Sequence, residues 1–525
     1  MSIQNPILRG FNPDPSICRV GDDYYIATST FEWFPGVQIH HSRDLKNWKV
    51  IAQPLNRVSQ LDMKGVPDSC GVWAPCLSHH EGTFYLVYTN VKSFNGVWKD
   101  TPNYVVTTEE IRGEWSEPSY LNSAGFDGSM FHDTNGKSWF VTMVVDHRNG
   151  LFFGGIELQE YSKEEKKLVG EVHYLTEGTE LGKTEGPHLY QKNGYYYLLL
   201  AEGGTEYGHA ATVLRSKEIT GPYESHPANP ILTCAGHPEH GIQKSGHASF
   251  VETQDGDWYI TFLVGRPLSP LGRCTLGRET AIEELVWKED GWPYLKEGSI
   301  PRLEIPESKL PSVPRTKEET LVDFGEELPL DFQSLRIPKD ESWISQKERP
   351  GFLRLKGKES LSSTHNQALI ARRVQSFHVE ASTLLEFSPK KFQQMAGLVF
   401  YYNTGHYHYL HLTTNGSENF LSIVTSDNFS QIEQEPISIG KETRVYLKGE
   451  MNHDRLQFYF SLDGEGFAEI GKELDASILS DDYVRDGDPR YRPAFTGCFV
   501  GICCQDLVSN SHHADFKWFE YRELG

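Results

Sequence analysis

Gly21-Asp22-Asp23-Tyr24-Tyr25 begins a pattern that returns as Gly82-Thr83-Phe84-Tyr85, Gly136-Lys137-Ser138-Trp139-Phe140, Gly194-Tyr195-Tyr196-Tyr197 and Gly256-Asp257-Trp258-Tyr259. Each copy is a turn glycine followed by aromatic residues, and the copies recur about every 60 residues, a spacing that marks a repeat architecture. Glycine tolerates the left-handed backbone of a tight turn, and aromatic and β-branched side chains favour strands. The intervening stretches are punctuated by Gly, Asn and Asp, and long amphipathic helical patterns are missing. Five small sheets repeated around an axis form a β-propeller, which limits exposed sheet edges. The competing reading is a β-sandwich with evenly spaced hairpins; five copies favour the propeller.

Outside residues 1–300 the repeat stops. Pro301, Pro306, Pro311 and Pro314, with charged residues between them, mark 301–318 as a linker. Beyond it, Leu456, Phe458, Phe460 and Leu462 alternate with Gln457, Tyr459 and Ser461 before Asp463-Gly464 turns the chain. That is a half-buried strand entering a hairpin, and Tyr407–Leu412 also reads as extended. Residues 319–525 are therefore expected to form a second all-β domain, a β-sandwich. Two domains also suit 525 residues, because one core stops growing near ~250–300.

The formal charge is −22, which disfavours nucleic acid and anionic membrane surfaces as partners and is compatible with a neutral substrate. No apolar run is long enough to span a bilayer. Met1-Ser2-Ile3-Gln4-Asn5-Pro6 has neither the basic start nor the apolar stretch of a signal peptide. The eight cysteines form no C-x-x-C pair, and Cys503-Cys504 reads as two strand residues, so reduced thiols in a cytoplasmic protein are expected. His40-His41 and His79-His80 point to opposite strand faces and do not chelate metal as pairs. Nucleophile-elbow, zinc-protease, P-loop and EF-hand motifs are absent.

The chemistry is read from register. Nine residues before four of the turn glycines stand Trp73, Asp127, Glu185 and His247, and Asp14 stands seven before Gly21. The offsets differ by two, so strand alternation is expected to keep all five on one face. If the strand before each turn is the innermost, these side chains share one axial pocket. Paired carboxylates across a sugar are the machinery of glycoside hydrolysis, and a third carboxylate raises the acid's pKa. Singly, each has a bland reading: Asn12-Pro13-Asp14-Pro15 as a turn, Asp127-Gly128 as a hairpin turn, Glu185 as a loop acid and His247 as a strand histidine.

Phe11-Asn12-Pro13-Asp14-Pro15-Ser16-Ile17, Phe126-Asp127-Gly128-Ser129 and Thr184-Glu185-Gly186-Pro187-His188 together resemble glycoside hydrolase family 43, and within it the β-xylosidases with a C-terminal β-sandwich. The resemblance covers both domains. It implies a five-bladed propeller followed by a concanavalin-like jelly roll that closes the pocket. It also implies exo hydrolysis of β-1,4-linked xylooligosaccharides from the non-reducing end, with inversion. Carried across, Asp14 is the general base, Glu185 the general acid, and Asp127 the residue that orients the acid and raises its pKa. Arg278 matches the family's active-site arginine. Phe31, Trp73, Phe126 and His247 match its sugar-pocket positions, and Phe495 is the candidate aromatic from the sandwich.

Family resemblance implies no cofactor for catalysis. A calcium ion near the axial histidine occurs in some similar proteins, and sandwich domains often hold a structural one, for which Asp323 with Asp515 is the candidate ligand pair. The expected partner is the xylooligosaccharide substrate, and a homo-oligomer, dimer or tetramer, is expected. Three other readings remain open: an α-L-arabinofuranosidase or bifunctional enzyme, a non-catalytic carbohydrate-binding propeller, and a phosphorylase or transferase on a similar fold.

Overall fold

The computed structural model describes residues 2–148, 152–314, 320–486 and 493–525. Five blades of antiparallel strands surround one axis, and in every blade the repeated glycine is the turn after the first strand. In blade 1, Ser16–Val20 pairs with Asp23–Thr28, which pairs with Gln38–Ser42 and that with Lys49–Ala52. The first strands of the others are Cys76–His80, Ser129–His132, Glu185–Lys192 and Gln243–Glu252. The five turn glycines have φ between 62° and 88°, and nothing lies within 4 Å of where a Cβ would stand. Glycine is needed there for its backbone and not for space.

First strands of neighbouring blades pack on one another in a closed ring. A side-chain hydrogen bond joins each neighbouring pair: Leu77 N to Ser16 Oγ (3.0 Å), Ser78 Oγ to His132 Nε2 (3.1 Å), Ser129 Oγ to Pro187 O (2.6 Å), Phe250 N to Tyr190 OH (2.8 Å) and Ile17 N to Ser249 Oγ (3.2 Å). The first strands are therefore the innermost, and their leading ends converge at one end of the axis.

The second half is a two-sheet sandwich. Tyr407–Leu412 lies within the strand His406–Thr414, and Cys503-Cys504 within Phe499–Asp506. Leu456 and Phe458 are buried as the alternation predicts, but the strand Arg455–Ser461 ends before Leu462, which is exposed. A 3-10 turn, Ala476–Ile478, precedes a short α-helix, Asp481–Asp486, and among the described residues no helix is long and apolar enough to cross a membrane.

The proline-rich stretch is not a free linker. Glu304–Pro306 pairs with Ser2–Gln4 and ties the two ends of the propeller together. Ser308 Oγ donates to Asp44 O, and Val313 N to Asp44 Oδ2. Proline is compatible with this because the two-stranded ribbon leaves its outer edge unpaired. Residues 315–319, where the expected domain boundary falls, lie outside the described residues.

Propeller and sandwich share one hydrophobic core. Trp33–Phe34, a short strand from blade 1, pairs with Gln333–Leu335 and so extends a sandwich sheet. Trp33 stacks on Phe499 at 3.8 Å, and the cluster around them draws Phe11, Phe31 and Leu61 from the propeller and Leu369, Val399, Tyr401 and Tyr409 from the sandwich.

Candidate active site

Asp14, Trp73, Asp127, Glu185 and His247 line a single pocket on the propeller axis, together with Phe31, Ala74, Phe126, Thr205, His209, Arg278 and Phe495. Every substrate-pocket position expected from sequence is in it. Thr205, His209 and Ala74 were not expected; no repeat or motif marks them.

Strand alternation is not what aims these side chains. Asp14 and Asp127 each stand two residues ahead of a first strand, in left-handed backbone with φ 55° and 56°. His247 has φ 42° at an irregularity in its strand. Glu185 begins its strand beside Gly186, φ 57°, where the register also shifts. Non-glycine residues in this region cost of order 1–3 kcal/mol and persist only where their surroundings hold them. The Asp127-Gly128 pair is not a hairpin turn but leads into Ser129–His132, whose hairpin turns at Gly136, and a Cβ on Gly128 would lie 2.3 Å from the Phe140 ring.

Asp14 accepts two hydrogen bonds, from Ser29 Oγ (2.6 Å) and Arg278 Nη1 (3.2 Å). Arg278 also donates to Thr205 Oγ1 (3.1 Å) and to the Phe495 carbonyl (3.1 Å), and its guanidinium lies 5.3 Å from the rings of both Phe31 and Phe495. It is thus a pocket residue and not a partner of Glu279, which pairs with Arg266.

Burial, followed by the charge of Asp14, pushes the Glu185 carboxyl from 4.5 up to about 8. Asp127 is also raised well above the ordinary aspartate range, by burial first and then by Glu185 and Asp14. Three acids around one pocket cannot all ionise cheaply. Burial holds His247 below its ordinary value, which favours the neutral ring, and its Nδ1 lies 4.0 Å from Asp127.

A hidden carboxylate supports the acid from beneath. Glu202 is fully buried and accepts from Thr179 N, Thr179 Oγ1, Thr184 Oγ1 and Thr212 Oγ1 at 2.7–2.8 Å. Its partners include the residue before Glu185, and the preceding residue of its strand, Ala201, pairs with Glu185. In the sequence it is one glutamate among many.

Aromatic rings form the rest of the wall. Trp73 lies 4.8 Å from Phe126 and 5.5 Å from Phe495, and Phe31 lies 5.9 Å from Phe495. Phe495 comes from the sandwich, and its amide is anchored on Ser69 Oγ (3.1 Å).

Each member of the suggested calcium pair is already engaged by basic side chains. Asp515 is bonded to Arg349 (2.9 Å) and Arg354 (2.8 Å), and the exposed Asp323 faces Lys517. Both carboxylates already have cations as neighbours, which removes the charge that would attract a calcium ion. Among the described residues no three His, Cys, Asp or Glu side chains are arranged to hold a metal, and no step below uses one.

Residues 3–293 match the model of Glycosyl hydrolases family 43, and residues 322–522 that of the Beta xylosidase C-terminal Concanavalin A-like domain. The chain belongs to glycoside hydrolase family 43. It is 51% identical to Beta-xylosidase of Bacillus subtilis (strain 168), with all of both chains covered. It is 48% identical to Xylosidase/arabinosidase 43B of Humicola insolens, over 99% of this chain and 98% of that one. Among solved structures, xylan beta-1,4-xylosidase from Bacillus Halodurans C-125 superposes with a TM-score of 0.96 at 53% identity, covering 99% of this chain and 100% of that one. This family-43 chain is therefore similar to named β-xylosidases along its whole length, sandwich included.

Proposed function

We propose that this glycoside hydrolase is an inverting, exo-acting β-1,4-xylosidase that releases xylose from the non-reducing end of short xylooligosaccharides. The observation that carries this is the trio of carboxyls in one aromatic-walled pocket, with Asp14 held by Arg278 and Ser29 and Glu185 raised to about 8. The printed activities of the relatives support the sugar.

Asp14 is the base that takes a proton from water as the water attacks the anomeric carbon. Glu185, protonated near neutrality, gives its proton to the leaving oxygen. Asp127, whose own carboxyl is raised by burial and by the charge of nearby Glu185, orients the acid, and the charge of Asp14 helps keep the proton on Glu185. Phe31, Trp73, Phe126 and Phe495 face the sugar's C–H surfaces, and Arg278 and His247 its polar edge. Inversion requires the base and acid carboxyls ~6.5–9.5 Å apart, with room for the water. Phe495 walls the pocket from the sandwich, which suits a site for one terminal sugar. Neutral short oligosaccharides also suit a cytoplasmic location, and the free cysteines fit a reducing compartment. Homo-oligomeric assembly belongs to the same reading.

A second activity on α-L-arabinofuranosides is favoured by the Humicola relative, whose printed name includes both. Proton NMR of xylobiose hydrolysis tests the main reading. Initial α-xylose supports inversion and the Asp14/Glu185 roles; initial β-xylose overturns the assignment of Asp14 as base. Comparing aryl β-xyloside with aryl α-arabinofuranoside ranks the two activities.

A further inference from the structure

The segment Gly10–Asp14 that carries the base is gripped from the sandwich side by Arg373, the last residue of the strand Ala368–Arg373. Its Nε donates to the carbonyl of Phe11, and its Nη1 to Gln333 Oε1 at 2.6 Å; Gln333 in turn donates to Pro35 O at 2.8 Å. The guanidinium lies between the Phe11 and Phe499 rings, 5.6 and 5.3 Å from their centres. The side chain is buried, and among the described residues no carboxylate is within ion-pair distance and Nη2 has no hydrogen-bond partner. The next two residues tighten the grip: Gly10 packs against Val374 O so closely that a Cβ would lie 2.6 Å from it, and Gln375 donates to Arg9 O.

The far side of the same segment is held by the pocket itself. Asn12 N donates to Arg278 O (2.9 Å), and Thr280 Oγ1 donates to Asn12 O (2.6 Å). The Phe11 ring rests on Phe31, which faces the sugar. The left-handed Asp14 is thus the end of a short strap pinned from two directions, and the sandwich's pin is a buried cation that makes no ion pair among the described residues, Asp331 being a charge that acts on it from farther off. Burying an unpaired cation is expensive, so this arrangement is a poor device for stability alone.

We propose that Arg373 is a positioning residue for the reaction: through the Phe11 carbonyl it sets where Asp14 stands over the anomeric carbon. This rests on the reading of Asp14 as base. It makes the sandwich a contributor to the base as well as to the pocket wall.

The test is a double-mutant cycle on an aryl β-xyloside with the full-length protein: wild type, Arg373→Met, Asp14→Ala and the double variant, each with its melting temperature. Arg373→Met is expected to lower kcat by about 10- to 100-fold, the effect of displacing a reacting group by roughly 1 Å. KM should change by less than about threefold, because sugar contacts are kept. Its melting temperature should be unchanged or raised, since an unpaired buried charge is removed. In the Asp14→Ala background the same substitution should change the residual rate by less than about twofold. Equal losses in both backgrounds, or a loss carried by KM with a lower melting temperature, overturn the proposal while leaving Asp14 as base. Wild-type rate in Asp14→Ala overturns the base assignment and the proposal with it. Should Arg373→Met not fold, Arg373→Lys carries the same cycle, because it keeps the charge and loses the fork that reaches Phe11 and Gln333 together.

Discussion

Glu185 shows how a single carboxyl is tuned by its surroundings. With its pKa raised from 4.5 to about 8, the folded protein holds a proton there that the unfolded chain releases between those values. Two consequences follow by opposite routes. Catalysis needs the protonated acid, so kcat/KM on xylobiose should fall as pH rises through about 8, a limb visible in a pH-rate profile and missing in Glu185→Gln. Stability contributed by this group is greatest below 4.5 and declines as pH rises towards 8, because the folded state binds more protons in that window. Glu185→Gln should therefore melt above wild type at pH 9 and show no such gain at pH 4. The same variant should lose about 10²- to 10⁴-fold in kcat on xylobiose and far less on an aryl xyloside with a good leaving group, which needs little protonation. Equal losses on both substrates would count against its role as acid. The types and spacing of Asp14, Asp127 and Glu185 were legible in the sequence. Glu202, Thr205 and His209 were not, because their importance lies in which neighbours the fold delivers and no local pattern records that.

Turn and strand divide the labour within each blade. The repeated glycines sit in open turns with positive φ, so Gly136→Ala should cost about 1 kcal/mol through backbone strain and leave kcat unchanged. Gly128 is a different case, although it too neighbours a strand. A methyl there meets the Phe140 ring at 2.3 Å, so Gly128→Ala should cost about 1–3 kcal/mol in a urea melt and move Asp127 with it. The stability loss should therefore come with a large fall in kcat. The periodic aromatic pattern made the blades readable, because period-two burial and turn glycines are local signals. Leu462 misled the alternation because the turn begins one residue earlier than the hydrophobic pattern, where side chains no longer face the core. The five residues expected on one face line one pocket, but strand alternation is not what aims them there. Asp14, Asp127 and His247 have left-handed backbone and Glu185 adjoins the left-handed Gly186, and φ is not written in residue identity except at glycine.

Across the whole molecule, the sandwich is part of the site and part of the propeller's core. It supplies Phe495, which accepts from Arg278 through its carbonyl, and it pairs a sheet with Trp33–Phe34. Phe495→Ala should raise KM for xylobiose several-fold with little change in melting temperature, since this ring is only half-buried; initial-rate kinetics check it. A chain ending at residue 314 would expose Phe11, Trp33 and Phe34 and should be recovered aggregated and inactive, as light scattering would show. What the proline-rich stretch pairs with was not legible on this scale. Prolines and charges mark a segment that avoids regular structure, but its pairing partner, Ser2–Gln4, is three hundred residues away and no window of sequence contains both. By itself the sequence determined the blades, the repeated turns, the all-β second half and the three acids, because each is carried by local periodicity or by residue type at a fixed offset. Only the tertiary structure decided the closure of the ring, the left-handed backbone of Asp14 and Asp127, the shared core and the grip of Arg373 on the base segment. Those depend on side chains meeting across long separations, where packing and desolvation, and not local propensity, choose the partners.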